Sequence, residues 1–519
     1  MKKLLSIALM LLVSLTFAFA GGANEEAVAQ DDGPVRMEWL VSQTSAEVND
    51  DADVVKMIEE RFNIDLKTWY VDAAHFWENL NVRFAGGEMP DVLVIDNTSQ
   101  LAQLVDGGVV AELPIELIRE KAPNYAAYCD SHDVNNDLWN TMTYNGKNYG
   151  VANPMEQVPM AVIWRKDWLD NLGLEVPTTL EEFEAVLTAF VEQDPDGDGK
   201  RDTAGMAERT FNAIFGAYGL RCVTGGNPGF KVEEMQLGED GVPFFPYIRP
   251  EAKEVLALLH DWYDKGLIDK EFITGENHGG YQWLSHSFMN GQIGVTCAQP
   301  YHYLTASADT SDPGNWGICM KEFKALNPDG DIVFGPAPIG PDGKSGTEGW
   351  NKTGRLTVIT TKCASDPRKV DAFLAMLDAY YSDPDYARLV NYGIEGRHFA
   401  STEYGNVRLM EGTELRQEGV LQVDFGSTSY FAENVDATKT SFGHSVTGNG
   451  YWRYNVPACE EYSSVIATLD TLTEQAFFDM ITGAKPIDYF DTFVEQFKAA
   501  GGAAAEQKVQ ELQAAKATM

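Results

Sequence analysis

Apolar and polar residues alternate loosely over Val35-Arg36-Met37-Glu38-Trp39-Leu40-Val41, which predicts a strand, and then the period changes. From Asp51 to Phe62 the side chains of Val54, Val55, Ile58 and Phe62 recur at helical spacing. The same order follows at once, with a strand over Ile64 to Trp69, a helix over Ala73 to Ala85, a Gly86-Gly87 stop, and an apolar strand from Pro90 to Ile95 ending at Asp96. Strand, helix, strand, helix, strand predicts an α/β sheet. Further on, Asn145-Gly146 marks a hairpin turn within Thr143 to Val151, and Met160 to Arg165 reads as a strand. Thr179 to Phe190 reads as a helix capped by Thr178 or Thr179, with Glu181 or Glu182 in its first turn. Ala252 to Lys265 is amphipathic, and Phe288 to Thr296 reads as helix end, turn and strand. Short strands are expected at Ile332 to Pro338 and Leu356 to Thr360. A helix over Val370 to Tyr380 and closing helices over Tyr462 to Phe478, Ile487 to Ala500 and Ala504 to Ala515 complete the reading.

The first residues break this pattern. Lys2 and Lys3 precede the apolar run Leu4 to Phe19, and Ala18-Phe19-Ala20 is followed by small and acidic residues, the layout of a cleaved secretory signal peptide. The protein is therefore expected outside the cytoplasm, periplasmic or secreted. No Cys lies near the cut to carry a lipid anchor. At 519 residues the chain is long for one hydrophobic core, so two lobes or more are expected. Its 39 basic and 78 acidic residues give a net charge of −39, which repels nucleic acid and anionic membrane at long range. The ligand's charge stays open, because a pocket can oppose the field of the whole surface. Six Cys are scattered with no CxxC pair, which excludes a compact zinc knuckle and a thioredoxin-like site. They fit either one or two disulfides, Cys297 and Cys319 being closest in sequence, or buried free thiols.

Asp194-Pro195-Asp196-Gly197-Asp198-Gly199-Lys200-Arg201-Asp202 is the sharpest chemical motif. Carboxylates at loop positions one, three, five and nine, with the Lys200 carbonyl at seven and Gly199 for the turn at six, match the oxygen cage of a structural calcium ion. Gly205 stands at position twelve, where an EF-hand carries a bidentate Glu, so a regulatory EF-hand is excluded. The bland alternative is an acidic, solvated turn.

Several blocks, in order, resemble the extracellular solute-binding proteins of ABC importers, in particular the long carbohydrate-binding group that includes lipoprotein-like and alginate-oligosaccharide binders. They are Gly87-Glu88-Met89-Pro90-Asp91-Val92, Arg165 to Leu174 with Pro177 to Phe183, Met289-Asn290-Gly291-Gln292-Ile293-Gly294, Asn391 to Phe399, and Tyr489 to Val494. The resemblance implies an α/β, two-lobed periplasmic-binding-protein fold with a ligand cleft between the lobes. It also implies a monomer that closes on a sugar and passes it to the transmembrane permease subunits, and a structural calcium in loops of the Asp194 kind. Many relatives carry a lipobox Cys where this chain has Ala20-Gly21, which favours a free protein. The expected division is a signal peptide over 1–20, a leader over 21–34, the first part of the N-terminal lobe over 35–155 and the main C-terminal lobe over 156–345. A return segment with the hinge over 346–400 and a helical extension over 401–519 packing on the lobes follow.

A neutral sugar needs flat apolar faces and planar polar groups in a cleft. Trp350, in a polar, glycine-rich segment, is the first stacking candidate, with Asn351 beside it. Trp283, Tyr301, Tyr303 and Trp452 follow by the same logic, and Trp77 could face either the sheet or the cleft. Asp96 and Asn97 end an apolar strand, where α/β proteins place ligand contacts. Arg165 is similarly placed, unless it pairs with Asp167 or Asp170, and Glu395 and Arg397 could bind sugar or lock the hinge. An exported glycosidase or lyase is the competing class. The chain has no G-x-S-x-G elbow, no H-E-x-x-H and no spaced histidine cluster, so a non-catalytic binder is the expectation.

Overall fold

The computed structural model describes residues 33–41, 47–49, 51–71, 75–95, 98–133, 137–155, 158–224, 230, 235–273, 285–349, 353–410, 412–423, 425 and 428–516. The expected signal peptide and nearly all of the leader lie outside the described residues. So do the candidate ligand residues Asp96, Asn97, Trp283, Trp350 and Asn351.

Nine strands build the two sheets that organise the chain from Val35 onward. They are β1 (Val35–Leu40), β2 (Ile64–Thr68), β3 (Val92–Ile95), β4 (Gly150–Pro154), β5 (Ala161–Arg165), β6 (Ala204–Met206), β7 (Ile293–Ala298), β8 (Ile332–Gly335) and β9 (Thr353–Ile359). The first sheet has the order β2-β1-β3-β9-β4 and the second the order β8-β5-β7-β6. Strands β1, β2 and β3 are parallel, as the alternation with helices α1 (Asp53–Phe62) and α2 (Phe76–Ala85) requires. Strand β9 then runs antiparallel to β3, with Leu356 opposite Ile95, and β4 antiparallel to β9, with Pro154 opposite Thr353.

Each sheet carries its own hydrophobic core. In the first, Trp39 is buried between Phe373 and Phe425, the second contact edge-on at 5.5 Å. In the second, Trp164 meets Phe183 at 4.8 Å, and Phe183 stacks on Trp262. Gly294 in β7 lets the helix α4 (Leu180–Glu192) approach closely, since a Cβ there would stand 2.2 Å from the Phe190 ring. Helix α4 starts with a capping box between Thr179 and Glu182. The stretch 401–509 is shared between the cores. Leu415, Val420, Val423, Phe425 and Tyr430 belong to the first, whereas Phe442, Tyr454, Phe477 and Phe493 belong to the second. All six cysteines are free thiols, five of them buried. Among the described residues no helix is long and apolar enough to cross a membrane.

The Pro90-Asp91-Val92 motif has a structural explanation. Asp91 is fully buried, accepts 2.8 Å hydrogen bonds from the Glu38 backbone N–H and from Lys369, and so ties β1 to the strand start of β3 and to helix α5 (Pro367–Tyr380). Removing one partner leaves the other charge buried and unpaired. Asp91→Ala is expected to lower the unfolding free energy by about 3 kcal/mol. The double variant with Lys369→Met should lose less than the two single variants together, as read by urea unfolding.

Candidate functional site

The strand registers define where a cleft must lie. Because Ile95 is opposite Leu356 and Thr353 opposite Pro154, the chain leaves β3, enters β9 and leaves β4 at one end of the first sheet. In the second sheet Ala298 is opposite Ala161 and Gly335 opposite Val162, so β5 begins at the end where β7 and β8 finish. The connection from β4 to β5 joins these two ends directly. Binding contacts in α/β proteins gather at such strand ends.

Residues from both lobes meet there around a cavity of about 210 Å³. Tyr392, at the end of α6 (Pro384–Tyr392), and Phe431, on α7 (Thr428–Asn434), come from the first lobe and stack with centroids 5.0 Å apart at 16°. Gln299 and the partly exposed Tyr301, just after β7, come from the second, with Lys439 and Thr440 on α8 (Thr438–Val446). Met155, Val158 and Asp436 sit on the connections between lobes. Gln299 donates to the Val158 carbonyl at 2.8 Å, and the Asp436 carboxylate accepts from the Asn406 backbone at 2.7 Å, so both are held in place. The Arg408 guanidinium lies 5.1 Å from the Tyr392 ring centroid. Aromatic faces beside an amide, a hydroxyl and one group of each charge can grip a polyhydroxylated ring.

The other candidates separate by position. Tyr303 is fully buried and packed edge-on against Phe288 at 6.0 Å, so it is a core residue and not a ligand contact. Arg165 sits about 13 Å from the cleft end of β5. Its buried guanidinium pairs with Asp167, with Nε donating to Oδ1 at 2.9 Å, and lies 4.7 Å from the Trp168 ring centroid; it is a structural ion pair. Arg397 donates to Asp53 at 2.6 Å and also to Glu418, pinning α1 within the first lobe, while Glu395 is exposed. Trp452, on the strand Gly450–Trp452 paired to Thr347–Gly349, lines a separate groove of the second lobe. Beneath that strand pair the buried Arg221 bonds the Gly349 carbonyl at 3.2 Å and faces Glu348 at 3.4 Å. Trp77 is half-buried beside Phe76 and faces a groove outside the cleft. Tyr392 lies within the Asn391 to Phe399 block with no local signal of its own, and nothing local to Gln299, Phe431, Asp436, Lys439 or Thr440 marks them. Their meeting depends on chain crossings distant in sequence.

The aspartate loop follows α4. Oxygens of Asp194, Asp196 and Asp198 lie within 4.8 Å of one another, the one such cluster among the described residues. Gly199, at φ 85°, gives its N–H to Asp194 at 3.0 Å, and Asn171 anchors the loop through the Pro195 carbonyl at 2.9 Å. Partial burial and the neighbouring carboxylates push the Asp196 carboxyl up, whereas the Lys200 ammonium holds Asp198 down. One Asp194 oxygen is buried without a hydrogen-bond partner, as a group awaiting a cation would be. Asp202 stands outside the cluster, 4.0 Å from Lys200.

The family profile for bacterial extracellular solute-binding proteins matches residues 53–384. The chain belongs to this family. It is thus a secreted or periplasmic binding component of an ABC importer, a non-catalytic class. Among curated relatives, the polygalacturonan/rhamnogalacturonan-binding protein YtcQ of Bacillus subtilis is 24% identical over 98% of both chains. Lipoprotein LipO of the same organism is 26% identical over 88% of this chain and 87% of its own. Among solved structures, alginate-binding protein AlgQ2 superposes with a TM-score of 0.65 at 20% identity, covering 93% of this chain and 98% of that one. The Streptococcus pneumoniae substrate-binding protein FusA, in complex with kestose, gives 0.65 at 18% identity, with 93% and 99% covered.

His302 adjoins the cavity, its ring 4.4 Å from that of Tyr301. Burial, helped by the Arg209 and Lys439 cations, lowers its pKa from 6.5 to about 3. A depressed folded-state value means the neutral ring contributes stability in full above pH 6.5, and that contribution is lost as pH falls towards 3. His302→Gln should therefore unfold in urea with a shallower loss of stability between pH 6.5 and pH 4 than the parent; equal slopes would refute the assignment.

Proposed function

We propose that this protein captures an oligosaccharide in the cleft between its lobes and delivers it to the permease by lobe closure. The reading rests on one observation above the rest: aromatic rings from both lobes, Tyr392 and Phe431 on one side and Tyr301 on the other, flank the same cavity. A ligand that touches both sides gains more contacts in the closed state than in the open one, so binding shifts the population towards closure without a covalent step. The names of the relatives support the carbohydrate class, since YtcQ is named for pectic polymers, AlgQ2 for alginate, and FusA was solved with kestose. Trp350 and Asn351, with Asp96 and Asn97, are proposed as further contacts, because the nearby Thr353 and Ile95 begin and end strands at the cleft edge. Cleavage after Ala20 would leave Gly21 in front, with no thiol to acylate, so the working form is proposed to be free and not lipid-anchored.

We also assign the aspartate loop to a structural Ca²⁺, held by Asp194, Asp196 and Asp198 with the Lys200 carbonyl and Asp202. The unpartnered Asp194 oxygen and the clustered carboxylates fit the ion's preference for oxygen ligands. Two fold relatives were solved as a calcium-free AlgQ2 and an EF-hand mutant of FusA. The ion would pin the loop and take no part in ligand chemistry.

Two measurements test these readings. Calorimetry over pectic, alginate and fructan oligosaccharides should find one class that binds and is recovered uncut, and Tyr301→Ala, Tyr392→Ala and Trp350→Ala should each weaken it about tenfold or more. A cut ligand, or no binding in any class, would defeat the proposal. Calcium should raise the melting temperature of the parent and leave Asp196→Asn with Asp198→Asn unmoved; a parent that does not respond to calcium has no such site.

A further inference from the structure

The strongest feature not absorbed by the cleft is a groove on the outside of the first lobe, about 570 Å³ in volume, between α2 and the helix α3 (Thr98–Asp106). Its walls carry two aromatic rings, Trp77 and Phe84, and three side-chain amides, Asn81, Gln100 and Gln103, and, among the described residues, no ionisable side chain. That is unusual for this chain, in which 39 basic and 78 acidic residues otherwise crowd the surface. Trp77 and Phe84 both pack on the first core with part of each ring left at the surface. Asn81 and Gln103 are exposed, and no described side-chain hydrogen bond engages either amide.

Position adds a second argument. Helix α2 follows β2 and helix α3 follows β3, so both begin at the strand ends that form the cleft edge. Trp77 and Gln100 lie in their first turns, and the groove then runs down both helices to Phe84 and Gly107, about 10 Å further on. The groove therefore starts on the helix turns that follow the cleft-edge strand ends and leads away from them.

We infer that this groove is an outer subsite that holds the protruding units of a neutral oligosaccharide whose inner end occupies the cleft. The aromatic faces suit the C–H sides of sugar rings and the amides suit paired hydroxyls, while the absence of a cation among the described wall residues disfavours uronate carboxylates. The inference rests on the carbohydrate reading above, and it adds that affinity grows with chain length beyond what the cleft alone can hold. It also distinguishes this face from the polar groove of the second lobe around Trp452, where Arg249 is already tied to Glu506 at 2.8 Å and Gln510 to the Pro243 carbonyl at 2.9 Å.

The test is a size-graded set of neutral fructan and arabinogalactan fragments, with galacturonan fragments as the anionic arm, titrated against the parent, Gln103→Lys, Asn81→Lys, Trp77→Ala and the cleft variant Tyr392→Ala. The two surface lysine variants guard against the chance that Trp77→Ala disturbs the core. Groove variants should weaken the longer neutral chains roughly fivefold and leave the shortest bound chains unchanged, whereas Tyr392→Ala should weaken every length. Equal behaviour of groove variants and parent at all lengths would overturn the subsite, as would a groove effect confined to galacturonan. Failure of the parent to bind any glycan would instead overturn the carbohydrate reading itself, so the two failures are distinguishable.

Discussion

The antiparallel insertion of β9 between β3 and β4 is the constraint from which the architecture follows. It returns a segment more than 250 residues downstream of β3 to the first sheet and places its entry beside the exits of β3 and β4. Every connection between the lobes that passes through this sheet must therefore leave from one edge. On the proposed function the hinge and the binding edge become the same place, and a ligand bound there would act directly on the angle between the lobes. Had β9 joined parallel to β3, the crossing after Gly349 would have entered at the opposite end and the two functions would have separated.

Much of this was legible in the residues and some was not. The alternation of strand and helix from Val35 to Ile95 gave the parallel start of the first sheet, because its periods are local. The aspartate loop was legible for the same reason, its clustered carboxylates being spaced within one loop. The partition of the C-terminal third was not, since only the packing of Phe425 on Trp39, and of Phe477 and Phe493 in the second core, decides which lobe each helix joins. Arg165 and Tyr303 show why site residues are harder still. Both stand at strand ends or turns in sequence, yet one is spent on Asp167 and the other on Phe288. Conversely Tyr392 and Phe431 have ordinary sequence surroundings and acquire meaning only when α6 and α7 converge on the end of β7, beside Tyr301, which the sequence does mark.

The two cores also explain how the molecule can be stiff within each lobe and compliant between them. Each lobe buries its own large aromatics, and buried ion pairs such as Asp91 with Lys369 lock elements inside a lobe. Among the contacts that span the lobes are several polar ones. Asn455 bridges through Asp137, Asn140 and Thr353, and the Tyr404 hydroxyl at the tip of the Phe399–Thr402 and Gly405–Arg408 hairpin bonds the second-lobe Asp312. Asn455, Asp137, Asn140 and Thr353 are all buried, so these bridges fix the geometry of the crossing between the lobes and would be costly to break.

This division sets what a ligand must supply. To move a lobe equilibrium decisively, it has to bind the closed form several kcal/mol more tightly than the open one. Stacking on one ring contributes only about 0.5–1.5 kcal/mol, so a single aromatic contact does not suffice. The cleft answers with rings on both sides, and the groove between α2 and α3 offers further stacking that is made on one lobe alone. Contacts of the second kind raise affinity for open and closed forms equally and leave closure untouched. On the two proposals, chain length and closure are read by different surfaces, the outer groove selecting how long a ligand is and the cleft deciding whether the lobes shut on it.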